Sequence, residues 1–488
     1  MSDKNRTNIL LIHTDEHRQD CLGAYENKEI NTPNIDKLAE EGVTYHNSFT
    51  PFPVCTPSRY SLLTGLYPHQ HMGWTNHCNF PQGMDTFPEI LRENGYNTKA
   101  VGKMHFTPTY LDTGFEEMEL AEQNGYGRLD DDYHRYLKEK GLIDINDLED
   151  QVNEFREKAD EEYWQSLGTR ESNLKEEDYK TTWIGNRAVD ELENWEGNNN
   201  MLMVGFVNPH HPFDPPAPWS EMYNPDEISL LPGWEEEVRE IDVNYNSGFF
   251  PHRELTEEKL KKVMAYYYAM ISMIDYQVGR MVEILKDKGL YDNTMIIFTS
   301  DHGDYMGYHH MLLKQNHMYE PLMKVPLIIK YPDNREKGIS TKMINNIDLA
   351  PTILDEAGLE RGKYMEGNII SSEKDREYIL AETVNQKEYM VRSKKRKLLL
   401  NKNDEFSQFF DLEKDPCETN NLIDDPEYKE EVEQFKQVLF QWNLFEAATP
   451  VYLNEDRKEI AQPNLPSNPE ENREEMIQYW RDEMEKYQ

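Results

Sequence analysis

Positive charge is what this chain is short of: across 488 residues, 52 Lys and Arg stand against 92 Asp and Glu, a formal net charge of -40. A surface of that sign repels phosphate backbones and anionic bilayers. This excludes nucleic acid and membrane surfaces as partners and weighs against long polyanionic substrates, although a local basic pocket can override the net charge. Cysteine is scarce too. Cys21, Cys55, Cys78 and Cys417 are widely spaced and form no CxxC pair, so no disulfide framework is expected, and reduced thiols imply a cytoplasmic protein. No apolar run is long enough to span a bilayer, and Ile9-Leu10-Leu11-Ile12 is too short for a signal-peptide core. Internal repeats and low-complexity tracts are also missing.

What is present is a series of short apolar runs, each followed by a polar cluster. Asn8 to His13 reads as a buried parallel strand ending at Thr14-Asp15-Glu16. A strand near Thr98 to Val101 delivers Gly102-Lys103-Met104-His105, and Met201 to Val207 leads into Asn208-Pro209-His210-His211-Pro212-Phe213. Thr294 to Thr299 ends at Ser300-Asp301-His302-Gly303-Asp304. Helices are predicted from Pro33 to Gly42, from Thr86 to Gly95 and from Thr256 to about Lys286. Ligands of open α/β sheets sit at the carboxyl ends of strands, which is where all four clusters fall. The expected fold is therefore α/β: a large doubly wound, mostly parallel sheet with helices on both faces. Residues 1–370 form its catalytic domain, with an acidic, weakly periodic insertion at 111–195. Residues 371–488 form a smaller C-terminal α+β subdomain with a short antiparallel sheet and a helix from Pro426 to about Trp442. A charged tail from Asn464 is expected to wrap the fold or pair with another subunit as a homo-oligomer.

The richest stretch is Pro53-Val54-Cys55-Thr56-Pro57-Ser58-Arg59-Tyr60-Ser61-Leu62-Leu63-Thr64-Gly65. Pro57 as the first helical position puts Cys55 at a helix N-terminus, where unpaired N–H groups and the helix dipole favour a thiolate and cradle a sulfate or phosphate group. Arg59, a turn into the helix, is expected to donate two hydrogen bonds to the same oxyanion. Asp15, Glu16 and Asp301 offer three carboxylates suited to a hard divalent cation such as Ca²⁺, while His302 admits Mn²⁺ or Zn²⁺. Lys103 and His105, two apart on an extended segment, are expected to point to one side.

Cys-x-Pro-Ser-Arg followed by Ser-Leu-Leu-Thr-Gly-Leu-Tyr-Pro-His resembles the signature of the type I sulfatases in the alkaline-phosphatase superfamily, and further blocks follow in order to about residue 425. The resemblance implies that a formylglycine-generating enzyme converts Cys55 to formylglycine, whose hydrated aldehyde attacks sulfur. It also implies one divalent cation, Ca²⁺ ahead of Mn²⁺, held by Asp15, Glu16, Asp301, His302 and residue 55. Lys103 then binds the sulfate, His105 helps deprotonate the nucleophile's hydroxyl, His210 rather than His211 acts on the leaving-group oxygen, and Lys314 neutralises developing charge. Asn76, His77 and His211 line the substrate side. Two positions depart from the pattern: Glu16 stands where most members have Asp, and His302 where many have Asn. The activity so implied is hydrolysis of the sulfate monoester of a small sulfated carbohydrate, with Trp74, Trp219 and Tyr223 available to stack on a sugar ring. Ser58 and the Lys103/His105 pair favour that reading. His302 and Asn76 favour the alternative, a phosphonate monoester or phosphodiester hydrolase of the same superfamily.

Overall fold

The computed structural model describes residues 6–80, 83–123, 128–314, 317–383, 387–448 and 469–487, the last segment with side chains from 475 onward. The larger sheet is built from β1 (Asn8–Thr14), β2 (Val43–Phe49), β3 (Asn97–Gly102), β4 (Glu117–Leu120), β5 (Asn200–Gly205), β6 (Thr294–Ser300), β7 (Leu327–Lys330) and β8 (Gly338–Asn345). Their order is β4-β3-β5-β1-β6-β7-β2-β8, and every neighbouring pair is parallel except the two that β7 makes.

Side chains in a strand alternate between faces, so a strand covered on both sides is apolar throughout. In β1 the seven residues are all buried; Leu10 and Ile12 join one core, Ile9 and Leu11 the other. β5 and β6 repeat the pattern, with Leu202, Val204, Ile296 and Phe298 on the first side and Met201, Met203, Met295 and Ile297 on the second. The first core is roofed by the helices Lys180–Asn194 and Glu257–Asp287, the latter opened by Thr256, whose hydroxyl accepts the Lys259 N–H. The second is covered by Cys55–Thr64, Phe87–Glu93 and Leu349–Glu356.

The four strands that carry polar clusters, β3, β5, β1 and β6, are contiguous in the sheet. Their carboxyl ends therefore converge. Gly102 closes β3 at φ +87, and a Cβ there would lie 2.1 Å from the Gly205 carbonyl oxygen; only glycine lets the two chains run this close before Lys103 turns into the site.

Some sequence expectations need correction. The 111–195 stretch is not a mere insertion, because β4 extends the main sheet and Lys180–Asn194 packs on its face. Within it, the helical patch at Glu149–Lys158 resolves into Ile145–Gln151 and Asn153–Arg156, separated at Val152. The helix of the Cys55 motif starts at Cys55 itself, so Pro57 is its third residue rather than its first; a proline is tolerated there because the first-turn N–H groups have no helical acceptor.

The C-terminal sheet comprises β9 (Ile379–Glu382), β10 (Glu388–Arg392), β11 (Arg396–Asn401) and β12 (Gln408–Asp411), in the antiparallel order β12-β11-β10-β9, covered by the helix Lys429–Gln441. Asn464 lies outside the described residues. Further on, the helix Pro469–Met484 lies back on the larger domain: Trp480 is fully buried, its indole N–H donates to the Leu129 carbonyl at 3.2 Å, and Arg481 pairs with Glu154 at 2.8 Å. Among the described residues no helix is long and apolar enough to cross a membrane.

Trp480→Ala removes a buried indole and should lower unfolding stability by about 3–5 kcal/mol. Urea unfolding followed by circular dichroism measures this, and an unchanged midpoint would show that the helix is not docked as described.

Candidate active site

Past the carboxyl ends of β1, β3, β5 and β6, side chains that can carry charge meet in a region that water scarcely reaches. Asp15, Glu16, Cys55, Arg59, Lys103, Asp301 and His302 are all 0% exposed. Cys55 Sγ lies 3.3 Å from His302 Nε2, 3.4 Å from Lys314 Nζ and 3.5 Å from Asp15 Oδ1. Asp15, Cys55, Asp301 and His302 present ligand atoms all within 4.8 Å of one another. His302 donates its Nδ1 proton to the Gly303 carbonyl at 2.8 Å, which leaves Nε2 to face the thiol and carboxylates.

The cations answer this negative charge. Arg59 donates from Nε to Asp301 at 2.9 Å, from Nη2 to Asp15 at 3.0 Å and from Nη1 to the Lys103 carbonyl at 2.6 Å. All three of its nitrogens are thus committed behind the site. Arg59 fastens the carboxylates in place, and only the second hydrogens of Nη1 and Nη2 are left for the expected contact with a substrate oxyanion. Lys103 Nζ lies 2.7 Å from Asp15 and 3.1 Å from Gln123 Oε1. Lys314 Nζ lies 3.0 Å from Glu16 Oε2.

Burial by itself raises the Asp15 carboxyl, but Lys103, His210, Arg59 and Lys314 reverse this and hold it well below the usual carboxylate range. Burial pushes the His302 imidazole down, yet Asp301 and the Cys55 sulfur outweigh it and bring the group to about 9.

Glu16 sits slightly apart. Its backbone is left-handed, at φ 64, with its N–H donated to Asp301 and its carbonyl accepting from Tyr267. The carboxylate groups with His210 and His211 rather than with the other four ligands, and its buried Oε1 has no partner among the described residues. His210 Nε2 lies 3.3 Å from Glu16 Oε2, while its Nδ1 donates to the His211 carbonyl at 2.7 Å. Burial, then Lys314, His211 and Lys103, drive His210 well below its ordinary value, so the ring is neutral. The rings of His210 and His211 stack at 4.3 Å.

His105 is not on an extended segment: its φ is 59, so strand alternation does not apply to the Lys103/His105 pair. The turn is held by Glu122, which accepts both the Met104 and His105 N–H groups at 2.9 Å. Burial, with Lys103 beside it, depresses His105 to about 3.

Asn76 accepts the Thr56 N–H at 3.1 Å and so caps the nucleophile helix, where Val54 has no side chain able to do so. His77 is exposed on the wall of an adjoining cavity. Trp219 donates to Glu176 and the Tyr223 hydroxyl contacts Ser272 on the long helix, which makes both part of the packing.

Three residues escaped sequence reasoning: Glu122, Gln123 and Asp150. Gln123 bridges Lys103 to the His211 carbonyl, and Asp150 accepts the His211 Nδ1 proton at 2.6 Å. Glu122 and Gln123 follow β4, so the signal that exposed the other clusters was there once that strand was seen.

A nucleophile at a helix start, faced by carboxylates, an imidazole and two lysines, defines a hydrolase of oxyanion esters. Residues 7–359 match the family described as Sulfatase, and residues 307–444 match N-sulphoglucosamine sulphohydrolase, C-terminal. An arylsulfatase of Clostridium perfringens is 32% identical over 466 residues, covering 89% of this chain and 94% of that protein. An N-acetylglucosamine-6-O-sulfatase of Bacteroides thetaiotaomicron is 26% identical over 486 residues, covering 90% and 86%. The phosphonate monoester hydrolase structure of Agrobacterium radiobacter superposes with a TM-score of 0.73 at 22% identity, covering 89% and 95%, a likeness of fold. The chain belongs to the sulfatase family, and its activity is that of a sulfuric ester hydrolase.

Arg59→Lys keeps the charge but cannot bridge Asp15, Asp301 and the Lys103 carbonyl at once. Leaving a buried carboxylate unpaired should cost about 3 kcal/mol, read as a lowered urea midpoint; an unchanged midpoint would contradict the fastening role.

Proposed function

We propose that this sulfatase releases sulfate from a small sulfated carbohydrate, using formylglycine made from Cys55 and one Ca²⁺, with Mn²⁺ as the alternative. The observation that carries this is the placement of Cys55 Sγ, at the start of a buried helix and between 3.3 and 3.5 Å from His302, Lys314 and Asp15. The residues fit a divalent cation: Asp15, Asp301 and His302 converge on residue 55, and the unpartnered Glu16 Oε1 offers one more hard oxygen. When bound, the metal supplies Lewis acidity toward a sulfuryl oxygen and the aldehyde hydrate supplies the attacking hydroxyl.

The rest falls to the chain's own side chains. Lys103 and Lys314 bring fixed positive charge to the sulfuryl oxygens. His105, kept neutral, can accept a proton from the nucleophile's hydroxyl. His210 has its Nδ1 hydrogen fixed on the His211 carbonyl, leaving Nε2 beside Glu16. An anionic ester entering the pocket raises that nitrogen's proton affinity, Nε2 takes up a proton from solvent, and the imidazolium donates it to the departing alcohol.

The carbohydrate assignment is supported by the N-acetylglucosamine-6-O-sulfatase among the relatives. A cytoplasmic location is supported by four unbridged cysteines. Full burial of Cys55 means that a formylglycine-generating enzyme must act before the fold closes.

Two experiments test this reading. Protein made alongside a formylglycine-generating enzyme should show the aldehyde at position 55 in a tryptic peptide mass and hydrolyse 4-nitrophenyl sulfate in preference to an aryl phosphonate. A chelator should abolish turnover and lower Tm, and Ca²⁺ or Mn²⁺ should restore both. An unmodified thiol in active protein, or a preference for the phosphonate, would refute it. Replacing His210 with Asn should slow sulfated sugars about 10²–10³-fold while sparing 4-nitrophenyl sulfate, whose leaving group needs no proton; the same pattern in His211→Asn instead would transfer the role to His211.

A further inference from the structure

Beside the nucleophile helix lies a cavity of about 730 Å³, walled by both domains. Its lining includes Val54, the residue before Cys55, and Asn76, the cap of the nucleophile helix, together with Lys387 and Lys402 of the C-terminal subdomain. Val54 and Asn76 set the cavity next to the start of that helix.

The composition of the cavity runs against that of the protein. In a chain of net charge -40, the described residues lining this space include two lysines and His77 but no Asp or Glu. The lysines are also held together. They flank the β10–β11 pairing just beyond Glu388 and Asn401, and the Lys402 N–H donates to the Lys387 carbonyl at 2.6 Å. Like charges set directly opposite each other on neighbouring strands are destabilising. Both side chains are exposed, and among the described residues neither ammonium has an acidic partner, although lysines elsewhere on the same sheet are paired, Lys397 with Glu418 and Lys394 with Asp375.

The remaining wall suits a sugar. Tyr245 and Phe406 meet edge to face with centroids 5.3 Å apart. Burial holds the Tyr245 phenol at about 12, so its hydroxyl stays a donor. The Tyr245 ring also packs on His317 at 4.3 Å, and the aromatic surface that remains, beside amide and hydroxyl groups, can pack on the C–H groups of a sugar whose hydroxyls are hydrogen-bonded.

We propose that this cavity is a subsite for a second anionic group, a sulfate or a carboxylate, on the sugar next to the scissile sulfate, read by Lys387 and Lys402. The preferred substrate class is then a multiply charged oligosaccharide fragment rather than a singly sulfated sugar or an aryl sulfate. The proposal rests on the sulfatase reading and narrows it.

The test is competition against 4-nitrophenyl sulfate by three disaccharides of one backbone: monosulfated and otherwise neutral, disulfated, and monosulfated with a uronate. The metal-loaded, formylglycine-bearing enzyme should bind at least one doubly charged ligand about tenfold more tightly than the singly charged one, and whichever binds names the second anion. The Lys387→Ala/Lys402→Ala double variant should lose that preference, and Lys387→Arg/Lys402→Arg should keep it, with kcat/KM for 4-nitrophenyl sulfate unchanged in both. Equal affinity for all three disaccharides, or a preference that survives the double alanine variant, overturns the proposal. Failure of the wild type to hydrolyse 4-nitrophenyl sulfate would instead strike at the sulfatase reading, and calorimetric titration with the same ligands would then read the cavity by itself.

Discussion

Arg59 reaches two aspartates from two different strand ends while all three groups are sealed from water, and the rest of the structure has to satisfy that arrangement. Removing a carboxylate and a guanidinium from water is expensive, and the cost is recovered only if geometry and further hydrogen bonds are right. The network therefore constrains the sheet. Asp15 hangs from β1, Asp301 from β6, Lys103 from β3, and Arg59 from the helix that follows β2. A slip in the register of any one strand would strand a charge in a region with no water to solvate it. The same property serves chemistry, because dipoles and charges fixed before the substrate arrives need no reorganisation during reaction.

Much of this was legible in the sequence because fully buried strands write themselves as unbroken apolar runs, and the polar residues just past them then stand out. β1, β5 and β6 were readable for that reason. β2, with Thr44, His46 and Asn47 interleaved, and β7, with four residues, gave no such contrast. The acidic stretch around 111–195 misled in the opposite direction. Its charges look solvated in one dimension, yet Asp131, Asp144 and Asp160 cap helices, while Lys180 lies among Asp144, Asp147 and Asp214. A sequence reports how many acids there are but not which are already matched, and Glu122 and Asp150 were hidden by that ambiguity. The same limit governed Arg59. Its position could be counted from Cys55, but its engagement with two carboxylates depends on strand ends 44 and 242 residues away.

Net charge and local charge also part company. At physiological ionic strength, fields from exposed acids decay over about 8 Å, so a -40 surface does little to an anion already inside a recess. What the anion meets there is set by the few cations within contact distance, and these are gathered at one edge of the sheet.

The helix Pro469–Met484 ties the wall of the pocket to a segment far along the chain. The indole of Trp480 closes on Leu129 across a sequence separation of 351 residues, and Arg481 clasps Glu154 in the short helix following Asp150, the partner of His211. Contacts that distant are slow to form, since the entropy of closing the intervening loop is lost before any packing compensates it. The parallel sheet meets the same cost, for β1 pairs with β6 from Asn8 to Thr294 and Arg59 reaches Asp301 across 242 residues. Nucleophile and histidine wall therefore both depend on long-range closure, and the site is complete only once distant parts of the chain have come together.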